Sequence, residues 1–363
     1  MRKTLRLQDA DLVLLLLALV IAVIGLTVIY STTANSALAG QFKKQVYWVL
    51  LGAFLALVVS RLDYHFLLEQ TPWLYGLSVL TLAGLLVAGP KIAGARRWLP
   101  VWGLTFQVSE VVKLVIILAV AAYFAEKRGQ YVTWKDFAKL GILVALPTVL
   151  VALEPDLGTA LTFLPIVAAG IFLAGIRPRQ VVVLGLLGVL MLPVGWHYFL
   201  RPYQRERLMT YVHPSRDTQG SSYQVTQSKI AIGSGGFWGK GLGNGTQGRL
   251  GFVPVSHADF IFAAFAEEQG FVGTLVVLLL YFALLLRILD GAQRAGDRAA
   301  AFLMVGFASV LFFQVVVNIG MVIGFFPTTG IPLPLMSQGG SSLVFTFLGL
   351  GMAMSVNMRR LVN

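Results

Sequence analysis

The sequence predicts an all-α polytopic membrane protein. Three observations carry that reading: apolar windows recur along the whole length, charge is scarce, and polar turn-formers collect between the windows. Hydrophobic residues fill 57% of the 363 positions and charged residues only 12%, where a soluble domain carries about a quarter. The mean hydropathy is +0.79. Cysteine is absent, which excludes disulfides and thiolate metal sites. The net charge of +12 does not point to nucleic acid. No basic block interleaves with aromatics, and lysine and arginine gather at the cytoplasmic ends of membrane helices.

Windows long enough to cross the hydrocarbon, about 20 residues each, fall near 12–30, 46–60, 73–89, 106–125, 137–153, 157–175, 180–199, 262–286, 299–324 and 339–358. The second is short by this standard. The first follows a basic start, as in a signal peptide, but its apolar run Leu12–Tyr30 exceeds the roughly 7–15 residues of a signal core. It reads as a retained membrane helix. Short connections on one side hold Arg2, Lys3, Arg6, Arg61, Lys127, Arg128, Lys135, Arg177, Arg179, Arg287, Arg294, Arg298, Arg359 and Arg360. Those on the other side hold only Lys43, Lys44, Lys91, Arg96 and Arg97. The first side is therefore expected to be cytoplasmic, with both termini on it. The expected organisation is a single membrane domain over 1–363, with helices 1–7 within 1–199, an extracytoplasmic loop over 200–260 and helices 8–10 within 261–363.

The connection from Leu200 to Phe260 is far longer than ordinary loops and is expected to be functional. It carries Arg201, Arg205, Arg207, Arg216, Lys229, Lys240 and Arg249. Long loops escape the positive-inside rule, and this clustering favours an anionic ligand at the outer surface over a merely solvated loop. Within it, "GSGGFWGKGLGNGTQG" (Gly233 to Gly248) invites comparison with a phosphate loop. Ser234 stands where the first glycine belongs, however, and Gly241 follows Lys240, so the pattern fails. A tightly folded, turn-rich loop is at least an equal reading.

Charge inside an apolar window is costly and therefore informative. "VSEVVKL" sets Glu110 and Lys113 on one face of the fourth helix, either as a structural ion pair or as part of a functional cavity. Glu267 and Glu268 raise the same question in the eighth; side by side, they cannot both face one partner. In "LEPDLGTAL", Pro155 breaks the chain between Glu154 and Asp156. These carboxylates can cap the sixth helix or, as a thin ligand set, bind a divalent cation such as Mg2+ or Mn2+. "FPTTGIPLPLMSQGGSS", Phe326 to Ser342, joins the last two helices by an extended path on which Ser337, Gln338, Ser341 and Ser342 offer hydrogen bonds. Such backbone lies at membrane depth only where protein or a watery cavity covers it, and that cavity is the candidate substrate site. His257 and Asp259 stand where the long loop re-enters the membrane. A lone histidine is more often a satisfied surface residue. Asp259, at the entrance to a helix, is a candidate general base for a hydroxyl.

Together, "GARRWL" (94–99), "EPDLGTAL" (154–161), "YQRERL" (203–208), "QSKIAIGSGG" (227–236), "HADFIFAAFAEEQG" (257–270) and "PTTGIPLPLMSQGGSSL" (327–343) resemble the SEDS family (shape, elongation, division and sporulation), most closely its RodA branch. The resemblance covers nearly the full length. It implies a peptidoglycan glycosyltransferase that polymerises lipid II, a disaccharide-pentapeptide on undecaprenyl pyrophosphate, at the outer face of the bacterial cytoplasmic (inner) membrane. It also implies a class B penicillin-binding protein and other elongation complex proteins as partners, and Asp259 as the family's essential acidic residue. The family pattern before that residue reads close to Leu-Pro-Glu-x-His-Thr-Asp, whereas here Val255 and Ala258 replace the Glu and the Thr. Roles of those two do not carry over; those of His257 and Asp259 do.

The residues and the resemblance combine into one expected mechanism. Asp259 accepts the proton of an acceptor sugar's 4-hydroxyl as that oxygen attacks the anomeric carbon of the growing chain, and pyrophosphate leaves with inversion. Arg96, Arg97, Arg205, Arg207 and Lys229 are expected to stabilise the leaving charge, with His257, Ser337 and Gln338 as further substrate contacts and Asp156 as the candidate ligand for an assisting metal. Neutralising Arg205 or Arg207 is expected to impair turnover or lipid II binding more than folding. A lipid II flippase would also need a lipid-sized cavity and intramembrane charge, but no outer-face base. An ion-coupled transporter would show inverted repeats with broken helices, and no such symmetry is evident in the sequence.

Overall fold

The computed structural model describes residues 11–34, 38, 40–92, 95–101, 104–127, 129, 131–213, 220–249 and 257–359. In chain order its elements are α1 (Leu12–Thr33), α2 (Gly40–Arg61), α3 (Tyr64–Glu69), α4 (Thr71–Ala88), β1 (Trp98–Val101), β2 (Leu104–Gln107), α5 (Val108–Glu126), α6 (Trp134–Leu153), α7 (Leu157–Leu161), α8 (Phe163–Ala174) and α9 (Pro178–Val194). A π turn at Gly195–Phe199 extends α9. Then follow α10 (Pro202–Val212), α11 (Ser221–Gly235), α12 (Thr246–Arg249), α13 (Ile261–Gln293), α14 (Arg298–Val322) and α15 (Gly340–Arg359). Among the described residues, ten segments are long and apolar enough to cross a membrane. They fall on the ten predicted windows, and the protein is a multi-pass membrane protein.

The differences from expectation have physical reasons. The second window is a full helix of 22 residues; its polar opening, "GQFKKQ", hid the first turns, and Gln45 is buried there because its amide reaches the Ser337 carbonyl at 2.9 Å. The stretch 200–260 is not a plain loop, since α10 and α11 are helices within it. The antiparallel hairpin of β1 and β2, with Trp98 opposite Gln107, was not expected, because strands of four residues are too short for alternation to register.

The centre of the bundle is built from α5, α14 and α15. Phe124 of α5 stacks on Phe302 of α14 with centroids 5.0 Å apart, and Phe307 of α14 meets Phe345 of α15 edge-on. In lipid, close packing rather than water exclusion holds helices together, so small residues mark the tightest seams. The α2–α15 seam follows that rule. Gly351 lies against the Ala56 backbone, where an added Cβ would stand 2.6 Å from the Ala56 oxygen. By contrast α9 buries only Gln180, whose amide holds the Val132 carbonyl at 2.8 Å. Its valines and leucines face outward.

The eighth crossing is broken. Gly270 adopts φ 66° within α13, a conformation that side chains resist, and a Cβ there would lie 2.2 Å from the Gly239 nitrogen. Backbone groups freed by a break need new partners at membrane depth, and the glycine-rich loop supplies them. The Lys240 and Gly241 amides donate to the Glu267 and Glu268 carbonyls at 3.0 and 2.9 Å, and Phe271 and Val272 donate to the Gly236 and Phe237 carbonyls at 2.9 and 3.2 Å. The loop is a splice for a broken helix.

Gly351→Val should open the α2–α15 seam and cost about 1–3 kcal/mol through overpacking. Gly185→Ala, on the open face of α9 with nothing within 4 Å, should be neutral or better. Thermal unfolding in detergent distinguishes the two; equal midpoints would contradict this packing.

Candidate functional site

Three interruptions of helical backbone meet around one cavity of about 450 Å³. They are the Pro155 turn between α6 and α7, the entrance to α13, and the proline-rich segment before α15. Asp259, Arg97, Asp156, Arg207, Gln338 and Glu110 all line it, together with Gln107, Ser341 and Ser342.

Asp259 is fixed through its backbone. The carbonyls of His257, Ala258 and Asp259 accept from the Gln338 amide at 3.0 Å, the Ser337 hydroxyl at 2.7 Å and the Asn318 Nδ2 at 3.0 Å. The same Asn318 Nδ2 donates to the Ile331 carbonyl at 2.8 Å. One buried amide therefore ties the Asp259 segment to the proline-rich segment. Burial pushes the Asp259 carboxyl above the usual carboxylate range; the guanidiniums of Arg207 and Arg97 oppose that rise, and the charge of Asp156 adds to it.

Arg97 enters at the start of the β hairpin and Gln107 at its end, and both reach Asp156. The Arg97 guanidinium lies 3.6 Å from its Oδ2, and the Gln107 side chain donates to the same oxygen. The Thr159 amide donates to Oδ1 at 3.2 Å, capping α7. Asp156 thus spends its carboxylate on protein donors and on a cation. Glu154 is buried, with both oxygens unpartnered among the described residues, and lies outside the cavity wall. Burial, and then the charge of Asp156, push it up to about 8 against the pull of Arg97, so it keeps its proton at neutral pH. Among the described residues no three His, Cys, Asp or Glu side chains gather to hold a metal. The donor set around Asp156 does not fit Mg2+ or Mn2+, which would need most of its oxygen ligands from elsewhere.

Other expected residues lie apart from the wall. Arg96 points back to α4, donating to the Leu86 and Val87 carbonyls at 3.1 and 2.6 Å. Arg205 holds the Leu200 and His197 carbonyls at 3.1 and 2.8 Å, which anchors α10 to the end of the π turn. These contacts give Arg205 a place in the frame around the site. Ser337 is occupied by Ala258 and by the Leu333 amide at 2.8 Å. His257 is half-buried, and burial lowers its pKa. Lys229 lines a neighbouring pocket. The Glu110–Lys113 pair closes at 2.8 Å, with Glu110 in the wall and the Lys113 ammonium 4.1 Å from the Phe345 ring centre.

Glu267 and Glu268 serve the splice. Glu267 accepts from Lys240 Nζ at 2.6 Å and from the Thr246 and Gln247 amides at 2.8 and 3.1 Å. Glu268 accepts from the Ser31 hydroxyl and from the Gly243 amide at 3.2 Å. A protein carboxylate occupies the amides that a phosphate-loop reading would assign to a ligand. Sequence reasoning missed Gln45, Gln107 and Asn318; the available signal was an amide side chain interrupting an apolar run, as in "QVVVNIG".

This architecture defines a multi-pass membrane protein with a charged, backbone-lined cavity set among broken helices. The profile of the FTSW_RODA_SPOVE family, described as cell cycle protein, matches residues 11–361. The peptidoglycan glycosyltransferase MrdB of Escherichia coli (strain K12) is 37% identical over 352 residues, 97% of this chain and 94% of that one. The peptidoglycan glycosyltransferase RodA of Treponema pallidum (strain Nichols) is 32% identical over 428 residues, 98% and 99% of the two chains. Among solved structures, a study of the structural coordination of polymerization and crosslinking by a peptidoglycan synthase complex contains a chain that matches with TM-score 0.83 at 33% identity, covering 98% of this chain and 99% of that one. The crystal structure of Thermus thermophilus rod shape determining protein RodA matches with TM-score 0.71 at 32% identity, covering 97% of each. The chain belongs to the SEDS family, the FtsW/RodA/SpoVE cell cycle proteins.

Asn318→Leu leaves the Asp259 and Ile331 carbonyls without a donor and should cost about 1–3 kcal/mol, read as a lowered unfolding midpoint. Proteolytic nicking at the proline-rich segment should rise with it. An unchanged midpoint and cleavage rate would show that the tie carries no load.

Proposed function

We propose that this protein is a peptidoglycan glycosyltransferase that polymerises lipid II at the outer face of the bacterial inner membrane during cell elongation. The observation that carries the proposal is the convergence of Asp259, Arg97 and Arg207 on one cavity in a SEDS-family chain whose relatives MrdB and RodA bear that activity in their names.

The chemistry follows from the groups present. Asp259 accepts the proton of the acceptor's 4-hydroxyl while that oxygen bonds to the donor's anomeric carbon. The bond from that carbon to the diphosphate oxygen breaks, and its electron pair leaves on the diphosphate. One displacement inverts an α-linked donor to a β linkage, so a single carboxylate suffices. Arg97 and Arg207 lie where the leaving charge develops and act as preorganised cations in a partly dry site. Gln338, Ser341 and Ser342 offer hydrogen bonds to sugar hydroxyls. Arg96, Arg205 and Ser337 are assigned to holding the frame. The cavity faces outward under the positive-inside reading, and a class B penicillin-binding protein of the elongation complex receives the glycan for crosslinking. The complex described for a structural relative supports that pairing.

The decisive experiment is polymerisation of fluorescent lipid II by the full chain with its transpeptidase in detergent. Asp259→Asn should lower kcat at least ~100-fold, the scale of lost general-base catalysis, with stability retained. Near wild-type polymerisation by that variant would overturn the assignment, and lipid II translocation without polymerisation would favour the flippase.

The pH profile offers a second check. Asp259 works as the carboxylate, so the acid limb of kcat/KM should sit above the ordinary carboxylate range, where burial has placed its pKa. Removing the cation that opposes this rise, in Arg207→Gln, should move the limb to still higher pH. A limb that stays put or falls would contradict the coupling.

A further inference from the structure

Beside the main cavity lies a smaller pocket of about 80 Å³, and the two share Arg207, Pro327 and Thr328. It is framed by α10, α11 and the turn that follows α14. Ser228 donates to the Val322 carbonyl at 2.5 Å and Tyr211 to the Phe325 carbonyl at 2.9 Å, which fixes both helices to that turn. Lys229 lies across Gly324. A Cβ at Gly324 would stand 2.4 Å from its Nζ, and Gly324 has φ +81°. The turn is thus shaped to let an ammonium lie flat on its backbone. Lys229 has no ion pair or hydrogen bond among the described residues, and the described lining contains the cations Arg207 and Lys229, the hydroxyls of Thr210 and Ser222, and no carboxylate.

We propose that this pocket is a second anion subsite, taking a lipid-linked phosphate group distinct from the one that leaves at Asp259. The inference rests on the proposed glycosyl transfer. In that reaction the donor's diphosphate is bonded to the attacked carbon and must lie in the main cavity. The acceptor's own diphosphate is separated from its attacking hydroxyl by the length of the sugar unit. It therefore needs a phosphate site that adjoins the cavity without coinciding with it. Arg207, on the shared wall, would then report the presence of one anion to the other. A phosphate of a bulk anionic lipid has the same chemistry and is the other source the test must separate.

The test uses the full chain in nanodiscs of phosphatidylcholine alone or with added phosphatidylglycerol, and follows initial rates against lipid II concentration. Lys229→Ala should raise KM for lipid II about tenfold, equivalent to about 1.4 kcal/mol, in both bilayers, and Lys229→Arg should restore it. If phosphatidylglycerol raises the wild-type KM and Lys229→Ala removes that sensitivity, the subsite stands with a bulk lipid as occupant. An unshifted KM without lipid sensitivity, or a fall in kcat alone, overturns it. Lys229→Gln, which keeps the stem, replaces the alanine variant if that fails to fold. Lipid II binding measured in an Asp259→Asn background reads the subsite without turnover. A wild-type chain that makes no glycan would sink the parent proposal, whereas normal synthesis with unaltered lipid II binding and unaltered phosphatidylglycerol response in Lys229→Gln would sink the subsite alone.

Discussion

Irregular backbone can survive at membrane depth only if every amide and carbonyl it frees finds a partner, and the cavity depends on that condition being met three times. At the Pro155 turn, Asp156 caps α7 through the Thr159 amide. At the entrance to α13, the Gln338 amide and the Asn318 Nδ2 donate to the His257 and Asp259 carbonyls. Before α15, Gln45, Ser337 and Asn318 hold the proline-rich chain to its neighbours. Each repair also places a chemical group. The helix breaks and the site are one construction.

The electrostatics follow from this arrangement. Two guanidiniums and three carboxylates line the wall, and their roles separate by context. Asp156 is bound by Arg97 and Gln107, while among the described residues Asp259 is held through its backbone and its side chain lines the cavity. Glu154, buried without a hydrogen-bond partner among the described residues and pushed up to about 8, adds little negative charge beside Arg97 at neutral pH. The Glu110–Lys113 pair is internally neutral. Both arginines are held on the wall, Arg97 beside Asp156 at 3.6 Å and Arg207 with a donor on the Thr328 carbonyl at 3.3 Å.

Much of this was legible in the sequence because the membrane enforces simple rules. Hydrocarbon thickness sets the length of apolar windows, so the ten crossings could be read directly, and Asp259, Arg97, Arg207 and Gln338 stood out because polarity at the lipid boundary is costly. What the sequence could not reveal was orientation. Arg96 and Arg97 are neighbours, and only the hairpin decides that one caps α4 while the other meets Asp156. Arg205 and Arg207 lie on one short helix, yet one is spent on the π turn. Asn318 went unread because its two carbonyl partners lie 59 and 13 positions away.

One consequence concerns timing. On the proposed chemistry, protonation of Asp259 removes a negative charge from the wall at the moment the diphosphate separates. The arginines then grip the by-product more firmly than they gripped the reactant. Each sugar addition should end in a tightly held leaving group, and escape of the spent carrier, rather than bond formation, becomes the natural brake on strand growth.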